Sequence, residues 1–203
     1  MKLVGIDVSR WQGSINFKSV KAAGIDFVII KAGGSDAGFY EDPMFKINYA
    51  GAKAAGLKVG AYYFVGSKFQ GTDNGIADAK KFIRILGKRS FEYPVYVDVE
   101  STPQTEKAGT TDAVINFCEY MESKNFFVGI YGSDVSTFHD RVQADRLSSY
   151  TWWIAGYGKE PTHNYSVWQY TSNGSVNGIS TRVDRDISKT DFNVIVNKHF
   201  NNN

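Results

Sequence analysis

Strand-like and helix-like runs alternate along most of this chain, and that rhythm restricts it to a sheet built largely of parallel strands. Residues 27–32, Phe-Val-Ile-Ile-Lys-Ala, form a nearly continuous apolar run of the kind a strand shows when both its faces are covered. Residues 3–9 read as a first strand, followed by a short helix opening near Asn16 and stopping at Gly24. Asp42-Pro43 gives an N-cap with a proline at the first helical position, and Gly56 a stop. Residues 58–65 read as the next strand, and the helix after it sets Ala79, Phe82, Ile83 and Leu86 on one stripe.

The second half keeps the pattern and then loses it. Residues 93–100 read as a strand, 111–124 as a helix and 127–132 as a strand, with a short helix closing near Leu147. Residues 152–157 and 166–171 are strand-like but are joined by a loop; a turn is expected at Asn173-Gly174, then a short strand and a last helix over about 191–200. Eight or so strands with one end poor in helices favour an α/β fold of the irregular TIM-like (β/α) barrel type, with a helix-poor C-terminal end. Such a barrel carries its site where the strands end, at the C-terminal rim. The length of 203 residues is most simply one domain over 1–200, with the polar tail 201–203 as the start of a linker.

Within that frame, Val97-Asp98-Val99-Glu100 puts two acids at the end of a strand. Alternation sends Val95, Val97 and Val99 to one face and Tyr96, Asp98 and Glu100 to the other, with the two carboxyl positions roughly 6–7 Å apart. Acids so placed are costly to bury and repel when both are ionised. Acid chemistry on a glycosidic bond gives such a pair a purpose, since one carboxyl must stay protonated and the other ionised. A pair satisfied by loop backbone or a basic neighbour is the structural alternative. Asp7, opposite Val4, Ile6 and Val8, and Asp184, in Val183-Asp184-Arg185-Asp186, could join the pair at one mouth.

The remaining composition closes off other functions. A net charge of +2, without a basic run, argues against nucleic acid. The lone Cys118 falls in phase with Val114, Phe117 and Met121 on a helix, which suits a core position and permits no internal disulfide. His139, His163 and His199 lack ligand spacing, so no metal is expected. No apolar run approaches the roughly 18 residues a membrane span needs. The N-terminus reads as a first strand and not as a secretory signal, so synthesis in the cytoplasm is expected. Trp11, Trp152, Trp153 and Trp168 each read, taken singly, as core residues.

Seven segments occur in an order that resembles the glycoside hydrolase family 25 lysozymes, the N-acetylmuramidases. They are GIDVSRWQG at 5–13, FVIIKAG at 27–33, VGAYYF at 59–64, YVDVE at 96–100, WIAGY at 153–157, WQYTSNGSVNGI at 168–179 and VDRD at 183–186. The resemblance runs from about residue 3 to about 195. It implies a barrel with an irregular end, and a lysozyme or endolysin that hydrolyses the β-1,4 bond between N-acetylmuramic acid and N-acetylglucosamine in bacterial peptidoglycan. Carried over by position, Glu100 resembles the general acid, Asp98 its partner, and Asp7 and Asp184 two supporting acids. Tyr62, Trp153 and Trp168 resemble substrate-binding aromatics. Position in the motif favours Asp184 over Asp186. Many members read Tyr-His-Phe where this chain has Tyr62-Tyr63-Phe64, so a role resting on that histidine does not transfer.

The resemblance implies no cofactor and no metal. With an N-acetyl substrate, the 2-acetamido oxygen is a third possible nucleophile beside the retaining and inverting carboxylate routes, and the favoured one. The enzyme would reach the wall after release at host lysis or by another export route, and a wall-binding module could follow residue 203. A catalytically silent wall-sugar-binding protein and a chitinase-like glycosidase are the alternatives. Four acids argue against the first, and Tyr96, where chitinases carry a further aspartate, against the second.

Overall fold

Alternation in the first strand already sorts the wall of the molecule into two faces. In β1 (Leu3–Val8), Ile6 and Val8 join the outer apolar layer, while Leu3 joins the inner one and Asp7 faces inward above it. The same parity repeats in β2 (Phe27–Gly34), whose Val28 and Ile30 point out and whose Phe27 and Ile29 point in. The computed structural model describes residues 2–199; the polar tail 201–203 and the expected end of the last helix at Phe200 lie outside them.

Six strands run parallel around the ring: β1, β2, β4 (Lys58–Phe64), β5 (Val95–Asp98), β6 (Val128–Ser133) and β7 (Thr151–Ala155). The next strand, β8 (Val167–Gly174), is parallel to β7, and β9 (Val183–Ser188) closes the barrel antiparallel to both β8 and β1. The reversal follows from the connection: β8 and β9 are joined by a short loop without a helix, and a loop that short can return only antiparallel. A two-residue strand, β3 (Tyr40–Glu41), pairs with the end of β2 outside the ring.

The helices cover the wall unevenly. α1 (Phe17–Ala22) starts at Asn16, whose Oδ1 accepts the Ser19 N–H at 3.1 Å. α2 (Phe45–Ala54), α3 (Gly71–Leu86) and α4 (Lys107–Glu122) complete the covered side. Between β6 and β7 stands only a single 3-10 turn, Ala144–Leu147, and between β7 and β8 a loop. The helix-poor C-terminal end read from the sequence is therefore real. α5 (Phe192–His199) plugs the bottom of the barrel, where Phe192 packs edge-on against Tyr93.

Several local expectations shift. Asp42 caps the turn before α2, its Oδ1 taking the Met44 N–H at 2.9 Å, so the helix begins at Phe45 and not at Pro43. The strand expected over 93–100 is regular only from Val95 to Asp98, leaving Glu100 two residues beyond its end. Asn173-Gly174 lies inside β8, with Gly174 paired to Val183, and the turn follows it. Gly33 lies within β2, where any Cβ would collide with the backbone oxygen of Tyr40 on β3. The outer core between wall and helices gathers Phe82 and Phe117, each worth about 1.5–3 kcal/mol on burial. The free Cys118 is buried there too. No described helix is long and apolar enough to cross a membrane.

Candidate active site

Inward parity at the upper ends of the strands gathers polar groups above an aromatic floor. Trp153 on β7 forms the centre of that floor, 1% exposed, with the rings of Tyr131, Tyr96 and Tyr62 at 4.2, 5.2 and 5.9 Å. Its indole N–H donates to Asp186 Oδ1 at 2.8 Å. Asp186 is fully buried, and that burial pushes its pKa well up, with the Trp153 bond pulling against it.

Above this floor stands Gln169 of β8. Its Nε2 donates to Asp7 Oδ2 at 2.7 Å and to Asp184 Oδ2 at 3.3 Å. Its Oε1 accepts the hydroxyls of Tyr131 at 2.8 Å and Tyr157 at 2.7 Å. One amide thus ties β1, β6, β8, β9 and the loop after β7 together. Asp7 is held well above the usual carboxylate range by burial, then by the charges of Asp186 and Asp184, against the pull of the Gln169 bond. Asp184 is half-buried and raised to about 6 by burial and by Glu100.

Asp98 and Glu100 lie side by side at the end of β5, close enough to share a hydrogen bond. Asp98 is buried, and burial followed by the negative charge of Glu100 drives its pKa well up. Glu100 keeps its tip open to solvent, yet the surrounding walls displace enough water to raise its pKa as well. The hydrogen bond with Asp98, then Lys31 and Arg141, pull Glu100 back down. That bond raises Asp98 and lowers Glu100, so the two carboxyls titrate as one coupled pair. Lys31 reaches in from β2, its Nζ 4.4 Å from the centre of the Phe64 ring and 5.7 Å from that of Tyr62.

Asp7, Asp98, Glu100 and Asp184 therefore meet at one mouth, and Tyr62 lines it, its hydroxyl raised by burial and by all four of those acids. The two tryptophans do not reach it as substrate platforms. Trp153 lies beneath the cluster, and Trp168 belongs to the outer layer, packed beside Tyr165 and Tyr170, its indole N–H donating to Gly156 O at 2.7 Å. Strand parity explains the correction: with Trp168 outward, Gln169 must face in. Gln169, Lys31 and Tyr131 are members that the sequence reading left unassigned, although the same alternation that found Asp98 would have found them; Asp186, ranked below Asp184 there, lies in the floor.

Beside Glu100 the mouth opens into a cavity of about 400 Å³, lined by Ser133, Asp134, Val135, Ala155, Tyr157 and Thr162. Asp134 anchors the loop over this cavity. It accepts the Thr162 N–H and hydroxyl, both at 2.9 Å, and the His163 ring at 2.8 Å. Among the described residues no cluster of His, Cys, Asp and Glu is arranged to hold a metal ion. The larger groove beside α1 and α2, about 720 Å³ and lined by Ile15, Phe17 and Ile179 among others, carries none of these acids.

Comparison with known proteins gives a consistent picture. The profile of the family described as "Glycosyl hydrolases family 25" matches residues 6–179. The chain is similar to the autolytic lysozyme of Clostridium acetobutylicum, 31% identical over 185 residues, covering 90% of this chain and 54% of that protein. It is also similar to lysozyme M1 of Streptomyces globisporus, 32% identical, covering 90% of this chain and 66% of that protein. The chain thus spans about half to two thirds of the length of these relatives. Among solved structures, the bacterial lysozyme of Streptomyces coelicolor superposes with a TM-score of 0.78 at 27% identity, covering 99% of this chain and 98% of that one.

Proposed function

The chain belongs to the glycosyl hydrolases of family 25, and from that membership and the acid-lined mouth we propose that it is a lysozyme. The bond it hydrolyses is the β-1,4 link between N-acetylmuramic acid and N-acetylglucosamine in peptidoglycan, and its place of action is the bacterial cell wall. The observation that carries this reading is the gathering of Asp7, Asp98, Glu100 and Asp184 around one opening, each with a raised pKa. A binding module has no use for carboxyls kept near protonation, whereas acid catalysis at neutral pH depends on them.

In this reading Glu100 is the general acid. It alone of the four stands at the open edge of the cluster and lines the adjoining cavity, where a leaving sugar can be accommodated. Asp98, buried beneath it, modulates its proton and orients the 2-acetamido group, whose carbonyl oxygen attacks the anomeric carbon as Glu100 protonates the departing oxygen. Water then opens the resulting oxazolinium, and Glu100 regains a proton. Asp7 and Asp184, held by Gln169, stabilise the positive charge that develops on the ring.

Digestion of purified peptidoglycan with wild type and Glu100→Gln, with product ends read by mass spectrometry, tests the proposal. Reducing N-acetylmuramic acid ends are expected from wild type, with a loss of about 10²–10⁴-fold in the variant. Reducing N-acetylglucosamine ends would reassign the bond, and an active variant would remove Glu100 from the acid role.

A further inference from the structure

Trp11 differs from the other tryptophans. Trp152 and Trp153 are buried and Trp168 half-buried, whereas Trp11 stands 71% exposed. Its backbone is nonetheless tightly held. It lies in the turn Arg10–Gln12 that follows β1, where Ser9 Oγ accepts the Trp11 N–H at 3.2 Å and Gln12 Oε1 accepts the Ser9 N–H at 2.9 Å. Gln12 Nε2 donates to Arg182 O at 3.2 Å, and Asp42 Oδ2 accepts the Arg10 N–H at 3.1 Å. The turn is thereby braced against the start of β9 on one side and the end of β3 on the other. The Arg10 guanidinium lies over the indole at 4.9 Å, covering one face of the ring and leaving the other to solvent. A fixed backbone, one backed face and one bare face are what a stacking platform requires.

Its position fits such a use. β1 carries Asp7 at the mouth, and Trp11 rises four residues beyond it on the same rim. The cavity beside Glu100 opens between β6 and β7, across the barrel. From β1 the ring runs through β2 and β4 to β5, so the two ends are separated by three strand spacings or more, on the order of 10–15 Å. A polymer crossing the mouth spans that distance, while a sugar bound at the acids alone does not.

We infer that Trp11 is a distal sugar platform, stacking on one ring of a glycan strand that extends from the acid cluster away from the cavity beside Glu100. Because Glu100 protonates the leaving sugar on the cavity side, the strand over Trp11 is the non-reducing portion. Trp11 is then a determinant of substrate length, holding the strand without touching the reacting atoms. This inference rests on the muramidase reading above.

The test measures steady-state rates on size-fractionated soluble glycan strands from peptidoglycan, for wild type, Trp11→Ala and Trp11→Phe. In wild type, KM should fall as the strands lengthen. Trp11→Ala should raise KM for long strands about three- to tenfold, with the change on KM and not on kcat, and so flatten the length dependence. Trp11→Phe, which keeps an aromatic face, should recover most of it. Length dependence preserved in Trp11→Ala, or an equal loss on short and long strands, would overturn the platform. Titration calorimetry of long strands into Glu100→Gln, with and without Trp11→Ala, separates this from failure of the muramidase reading. If wild type releases no muramic ends, yet the added Trp11→Ala weakens strand binding several-fold, the platform stands and the reaction must be revised. Equal binding in both would remove the platform.

Discussion

Gln169 donates to two carboxylates and accepts from two tyrosine hydroxyls, so its amide fixes the relative positions of groups on opposite walls of the barrel. Leucine at this position is close in size but satisfies none of the four partners. Two of the bonds lie in fully buried surroundings, where an orphaned polar group costs about 1–3 kcal/mol. Gln169→Leu should lower the urea midpoint accordingly. It should also cut wall hydrolysis more than tenfold, because Asp7 and Asp184 lose the donor that aims them; full activity in a folded variant would show that their aim does not matter. At this scale the sequence was readable wherever alternation was applied. It put Asp98 and Glu100 on the inward face because Val95, Val97 and Val99 claim the outer one. It failed for Trp168 because an aromatic residue in a sugar-enzyme motif suggests stacking, whereas parity with Gln169 turns it outward. Asp186 was set below Asp184 for want of any signal of depth: the two share a face, and only the closed barrel makes one the floor and the other the rim.

Helices α3 and α4 meet without space for a side chain at Gly75, where a Cβ would press into the backbone of Ala113. Around that crossing, Phe117 touches Tyr63, Phe69 and Phe82, with ring centres at 6.3, 6.1 and 6.1 Å. This cluster backs β4, the strand that carries Tyr62 into the mouth on its other face. Phe117→Ala should cost about 3–5 kcal/mol, read as a drop in the denaturant midpoint at constant slope. A cost below 1 kcal/mol would mean that the two helices repack freely over the wall. These elements were legible from their periodicity because each faces one layer and shows one stripe. β3, two residues long, and the bracing turn at Arg10–Gln12 were not, since so few residues set no period. The direction of β9 was equally hidden: its own residues read the same either way, and only the short connection from β8 settles it.

The whole molecule carries an electrostatic cost in its mouth, and the cost has a sign that can be measured. Asp7, Asp98 and Asp186 are buried and raised well above an unfolded carboxyl near pH 3.9, and Asp184 is raised to about 6. The folded chain therefore binds more protons than the unfolded chain above pH ~4. The stability these groups contribute is complete below that point and is lost as pH rises through their folded values. Asp134 works in the opposite sense. Burial would raise it, but the bonds from Thr162 and His163 prevail and lower it to about 2, so its contribution is present above pH ~4 and fades as pH falls towards 2. Between them, the two sets place maximal thermal stability near pH 4–5, with Tm falling towards neutrality. Asp186→Asn keeps the volume and removes the most buried charge, so it should raise Tm at pH 7.5 more than at pH 5. A Tm that climbs from pH 5 to 7.5 in wild type would mean that these carboxyls ionise without penalty. They would then lack the proton affinity that the proposed acid catalysis requires. The fold tolerates the cost because aromatic floor, helical layer and plugged base are built elsewhere, leaving the upper rim of the barrel to hold charge that no packed core would accept.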